Sequence, residues 1–123
     1  MNCLAIDYGT KRIGLAISIK GIISPIKALL NNDNFFASLR QIIKQYQIKK
    51  IFVGICEGNF AKQTKNFVVE LKSMLELPVE FVEESVSTIE ADKFYKQFGK
   101  KRKNYKKQID SLSAAIILKR AII

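Results

Sequence analysis

The chain has 123 residues, 48% of them hydrophobic, and carries 21 Lys and Arg against 11 Asp and Glu, a net charge of +10. That length suits one domain spanning 1–123, that charge anticipates polyanionic partners, and no apolar run approaches the ~18 residues of a membrane span. The absence of histidine excludes Ser-His-Asp and Cys-His catalysis and most zinc sites, leaving carboxylates as the reactive groups to look for.

Residues 3–6 are short and apolar and Arg12–Ile19 is again mostly apolar, so both read as strands of a largely buried sheet. Between them Asp7-Tyr8-Gly9-Thr10-Lys11 reads as a tight hairpin in which Gly9 supplies a positive φ. The turn sets a carboxylate at the exit of the first strand and a hydroxyl and a cation on the loop beside it. That set suits a phosphate or a metal, and equally an Asp that only bonds the turn backbone. Ile22–Leu30 reads as a third strand, with Pro25 placing it at an edge or a bulge.

After a polar break, with Asp33 as the expected helix cap, Phe35, Leu39, Ile42, Ile43 and Tyr46 recur at helical spacing. Residues 51–55 form a continuous apolar run typical of a central parallel strand, followed by Glu57. A second helix is expected over about 60–75, with Phe60, Thr64, Phe67, Val68, Leu71 and Leu75 on one face, and a fifth strand over Val79–Glu83. Ser87 and Glu90 make a capping box for a helix carrying Ala91, Phe94, Tyr95 and Phe98, which Gly99 closes. A final helix begins at about Gln108, on the pattern Ile109, Leu112, Ala115, Ile116 and Lys119. Cys3 and Cys56 fall at opposite ends of two strands, so a disulfide is excluded if those strands run parallel. The chain reads as soluble and cytoplasmic, with neither a signal peptide nor a membrane segment.

A strand meander followed by helical crossovers gives an α/β fold, a mixed five-stranded sheet with helices on its faces. Ligands of such sheets gather beyond the carboxyl ends of the parallel strands. Asp7 ends the first strand, Glu57 follows the fourth, and Glu83 and Glu84 end the fifth. Asp110 stands near the start of the last helix, where the dipole alone would favour an anion in the first turn. Converging carboxylates call for a hard cation such as Mg²⁺, completed by water and substrate phosphate. Neighbouring strand residues face opposite ways, so Glu83 and Glu84 cannot both reach it. Residues 93–107 hold eight Lys or Arg and no acid, with Phe94, Tyr95, Phe98 and Tyr105 interleaved. Such a segment reads either as a nucleic-acid contact over the acids or as a solvated loop, the first three aromatics as core and Tyr105 as a stacking candidate.

AIDYGTKRIGLA at 5–16, VGI at 53–55, ESVSTIEA at 84–91 and DSLSAAIIL at 110–118 resemble the motifs DYGxKRIGxA, VGLP, ERLSTxEA and DxxAAxxIL of the YqgF family. Its members are RNase H-like proteins described as Holliday junction resolvases and as nucleases that mature the 5′ end of small-subunit ribosomal RNA. The resemblance implies an RNase H-like fold and Mg²⁺- or Mn²⁺-dependent phosphodiester hydrolysis by Asp7, Glu84 and Asp110, with Glu83 and Glu57 in reserve. Structured RNA, a pre-16S precursor above all, or branched DNA is the implied partner. The family's arginine is Ser85 here, so phosphate contact falls to Thr10, Lys11 and Arg12 and to Lys100, Lys101, Arg102, Lys103, Lys106 and Lys107. DYGTKRIG is also similar to the phosphate loop of actin-like ATPases and sugar kinases, but those bind nucleotide between two such domains. A non-catalytic RNA-binding assembly factor is the third reading.

Overall fold

The computed structural model describes residues 1–55, 60–83 and 105–122. Within them run β1 (Cys3–Asp7), β2 (Arg12–Ile19), β3 (Ile22–Leu30), α1 (Phe35–Gln45), β4 (Lys50–Ile55), α2 (Phe60–Met74), β5 (Val79–Glu83) and α3 (Tyr105–Ile122). The five strands make one sheet in the order β3-β2-β1-β4-β5, with β1, β2 and β3 antiparallel and β4 parallel to both β1 and β5. The helix expected after Ser87 lies outside the described residues. No helix among those described is long and apolar enough to cross a membrane.

Local chemistry accounts for the connections. The β2–β3 loop is two residues, Lys20 at φ 52° and Gly21 at φ 81°, closed by the Ile19–Ile22 pair. Positive φ at both central positions makes a type I′ turn, whose twist matches that of the strands it joins. Pro25 sits opposite Ala16 on β3, an edge strand, where its missing N–H costs the sheet nothing. Between the pairs Ile13–Leu29 and Leu15–Ile26 the register shifts, so β3 carries one more residue than β2 there.

Asp33 does not cap α1. The cap position is Asn34, which makes no side-chain cap bond, and the polar turn before it is closed instead by Asn32, whose Oδ1 accepts from the Asn34 N–H at 2.9 Å. The helix ends in a Schellman arrangement: Ile48 N–H donates to Ile43 O at 3.0 Å and Gln47 N–H to Lys44 O at 3.4 Å, with Gln47 at φ 51°.

Strand alternation sorts the core into two layers. Cys3, Ala5, Ala16 and Phe52 face α3, where Leu112 and the run Ala114 to Leu118 are buried. Leu4, Ile6, Ile13, Leu15, Ile17, Ile51 and Val53 face the other way, onto Phe35 and Leu39 of α1 and Phe67, Val68 and Leu71 of α2. The helices therefore lie on both faces, as the sequence predicts. Small residues on both sides, Ala5 and Ala16 against Ala114 and Ala115, let α3 approach the sheet closely. α3 starts at Tyr105 rather than near Gln108, because Lys and Gln are good helix formers and no Gly or Pro interrupts 105–110. Burial continues around the helix from Ser111 to Leu118, apart from the half-buried Ser113, whereas Lys119 is exposed instead of joining the apolar face. β1 and β4 are parallel with Cys3 level with Lys50, which satisfies the condition against a disulfide, and Cys56 lies outside the described residues.

Candidate active site

Asp7 is the last residue of β1, half-buried, and alternation with Cys3 and Ala5 puts it on the face that α3 covers. Its partner across the ladder is Gly14 of β2. At the next pair back, Ile6 with Leu15, α3 makes a polar contact with the sheet that its apolar layer already holds. The hydroxyl of Ser111, 2% exposed, accepts from the Leu15 N–H at 3.5 Å. The register shift at Leu15 explains why that amide meets a side chain: a bulge interrupts the ladder locally, and a buried N–H needs an acceptor. Asp110 immediately precedes Ser111, so its backbone arrives at the same end of the sheet as Asp7.

The position of Asp110 within α3 also alters its bland explanation. It is the sixth residue of a helix that starts at Tyr105 and has no acid in its first turn. A macrodipole effect confined to the first turn therefore gives little reason for an acid there. The side chains of Lys106, Lys107 and Asp110, and all of Glu57, Glu84 and Lys100 to Lys103, lie outside the described residues.

Glu83 is described, and it faces away from Asp7. Val82 packs against the α3 layer and Val79 against the opposite one, so alternation carries Phe81 and the exposed Glu83 to the face of α1 and α2. Among the described residues no three His, Cys, Asp or Glu side chains gather, a set that excludes Glu84 and the Asp110 side chain. The candidate ligands Asp7, Glu84 and Asp110 are all carboxylates, whose oxygens fit a hard divalent cation rather than a soft one.

The hairpin beside Asp7 is held from below by residues that sequence patterning does not single out. Asn31 N–H donates to Lys11 O at 2.8 Å, and its side-chain Nδ2 donates to Gly9 O at 2.9 Å and to the Tyr8 hydroxyl at 3.2 Å. Tyr8 packs on Phe67 with ring centroids 4.6 Å apart and the planes tilted by 33°, and Phe67 in turn meets Phe35 and Phe36. Thr10, Lys11 and Arg12 are thereby presented at the exposed tip. Gly9 does not adopt the expected positive φ. It is needed because a β-carbon there would run into the carbonyl oxygen of Arg12, so the loop is tight by close approach rather than by a left-handed residue.

The sequence model of a family described as "RuvX: Holliday junction resolvase" matches residues 1–122, a stretch that includes β1, the hairpin and all of α3. The chain belongs to this family. It is 39% identical to the "Putative pre-16S rRNA nuclease" of Sulfurihydrogenibium sp. (strain YO3AOP1) over 94% of this chain and 85% of that one. It is 36% identical to a protein of the same name from Rickettsia typhi, over 94% of this chain and 80% of that one. Among solved structures the RuvX-family chain is similar in fold to T. thermophilus RuvC in complex with a Holliday junction substrate, at TM-score 0.65 and 12% identity over 98% of this chain and 96% of that one. The fowlpox virus Holliday junction resolvase matches at TM-score 0.62 and 12% identity, over 99% of this chain and 100% of that one. These structural likenesses show the fold alone, a mixed five-stranded sheet with helices shared with those two chains. Asp7 and the backbone of Asp110, two of the three candidate acids, stand at one end of the sheet.

Proposed function

We infer that this chain is a divalent-metal-dependent nuclease that hydrolyses phosphodiester bonds in structured RNA, with the 5′ end of a 16S rRNA precursor as its substrate. The observation that carries this reading is the contact of α3 with the sheet at Ser111 and Leu15, which brings the backbone of Asp110 to the sheet end where Asp7 faces the same layer. The names of the relatives supply the substrate class. Asp7, Glu84 and Asp110 would hold Mg²⁺ or Mn²⁺, and Glu83 is displaced from that role by its face. A metal pair bound there would supply an activated water and charge stabilisation for the leaving oxygen.

The chain's own part is to bring phosphate to that anionic end. Thr10 and Lys11 lie on the loop that follows Asp7 and Arg12 opens β2 beside it, so a strand whose phosphates rest on them passes the carboxylate. Ser85 contributes no cation where the family pattern has arginine, which shifts phosphate contact toward this loop and toward the basic residues of 100–107. Such contacts position a substrate without reading its sequence, and specificity must come from elsewhere. Branched DNA is the second reading, favoured by the family's description.

Cleavage of a pre-16S 5′ leader, an unstructured RNA of equal length and a four-way DNA junction, each with Mn²⁺ or with chelator, tests both readings. The inference expects metal-dependent cleavage of the leader in preference to the other two. Preference for the junction would move the assignment to branched DNA, and cleavage indifferent to chelator would remove the metal site.

A further inference from the structure

The face of the sheet opposite Asp7 carries a cavity of about 690 Å³ that the nuclease reading leaves unused. One wall comes from α2, where Gln63, Asn66 and Glu70 stand three and four residues apart and so line one stripe of the helix. Asn31 to Asp33 and the start of α1 form the other wall. The floor is aromatic: Phe67, 6% exposed, is flanked by the half-buried rings of Tyr8, 4.6 Å away, and Phe36, 6.2 Å away and stacked.

The chemistry of this lining is selective. Among the described residues its polar groups are neutral amides and the Tyr8 hydroxyl, and its charged members, Asp33 and Glu70, are both acids. A phosphate would meet repulsion there. A planar heteroaromatic ring with hydrogen-bonding edges would find rings to stack on and amides to pair with, which is how unstacked bases are held. The volume falls within the few-hundred to ~1,000 Å³ usual for small-ligand sites. The hairpin that carries Lys11 adjoins the cavity, since Tyr8 and Asn31 line it and the Asn31 N–H donates to Lys11 O at 2.8 Å.

We propose that this cavity receives one unpaired nucleobase of the RNA strand whose backbone crosses the β1–β2 hairpin. The proposal rests on the nuclease reading for the identity of that strand and adds a register-setting subsite to it. Tyr8 and Asp7 are adjacent in β1 and its loop but face opposite sides of the sheet, so a base seated beside Tyr8 fixes which phosphodiester reaches Asp7. That supplies the sequence or structure dependence that phosphate contacts alone do not provide.

The test is equilibrium binding in chelator, where no strand is cut, using leader RNAs in which each unpaired nucleotide in turn is made abasic. One abasic position should weaken binding to the wild type by roughly ten-fold, within the range for stacking of one base on aromatic side chains. The double variant Gln63→Ala with Asn66→Ala, two exposed helical positions that alanine suits, keeps the rings but removes edge pairing, so it should bind the intact RNA more weakly and narrow that gap to about three- to five-fold. A full gap in the double variant, or no sensitive abasic position in the wild type, would overturn the proposal. So would a free nucleoside monophosphate that displaces no RNA yet shifts the melting temperature of the wild type and not of the double variant, since the cavity would then serve a free nucleotide. Loss of cleavage with the abasic gap intact would count against the nuclease and not against the subsite.

Discussion

Asn31 is the residue whose removal should be felt furthest from its own position. Its side-chain amide joins the end of β3 to the loop after β1 through two bonds, 2.9 Å to Gly9 O and 3.2 Å to the Tyr8 hydroxyl. Each such bond contributes about 0.5–1.5 kcal/mol net, and the site is part-buried, so water can solvate some of what is left behind in Asn31→Ala. The expected loss is therefore ~1–2 kcal/mol, and for a chain of this size that lowers the melting temperature by roughly 3–8 °C. Asn31→Asp separates the bond from the volume. It keeps the shape but cannot donate to Gly9 O and sets a carboxylate against that carbonyl, so it should cost at least as much as alanine. The backbone bond from residue 31 to Lys11 O survives in both, which keeps the hairpin from opening altogether. Thermal unfolding followed by circular dichroism reads both variants. An unchanged midpoint in both, or a more stable Asn31→Asp, would refute the claim that this amide holds the loop.

Gly9→Ala should destabilise by ~1–3 kcal/mol, because the added carbon meets the Arg12 carbonyl, a backbone atom that moves only with the loop; denaturant unfolding checks it. Gln47→Gly should stabilise by about 0.5–1 kcal/mol in the same assay, since a non-glycine residue at φ 51° carries a penalty that glycine avoids. Lys11→Gln should shallow the log-log salt dependence of nucleic-acid binding by roughly 0.7–0.9, the share of one phosphate contact, with little change in preference among sequences.

What the sequence made legible follows from what local patterns can encode. Apolar runs bounded by turn residues marked all five strands, Pro25 fitted the place of β3 at an edge, and alternation along β5 sets Glu83 on the face away from Asp7. The start of α3 was less legible, because a basic stretch is compatible with loop or helix until the buried run after Ser111 draws it into a longer element. The cap of α1 was ambiguous among four polar residues, any of which has a side chain able to bond a nearby amide. Asn31 and Ser111 were not visible as anchors at all. Their partners are backbone atoms 22 and 96 residues away in sequence, and no periodicity or local propensity records a bond of that kind. The cavity is hidden for the same reason, since its rings come from the hairpin, α1 and α2, and its amides read one by one as ordinary surface residues.

The central claim is that Asp7 serves the cutting of RNA, and single-turnover cleavage of the pre-16S 5′ leader by wild type and Asp7→Asn in Mg²⁺ or Mn²⁺ tests it most directly. Asparagine keeps the size of the side chain and removes the charge that would hold the metal, so the variant should bind the leader about as well as the wild type does in chelator. Its cleavage rate should fall by at least ~10²-fold, the scale expected when an electrostatic catalytic group is lost. Cleavage by Asp7→Asn at the wild-type rate, with equal binding, would contradict the account.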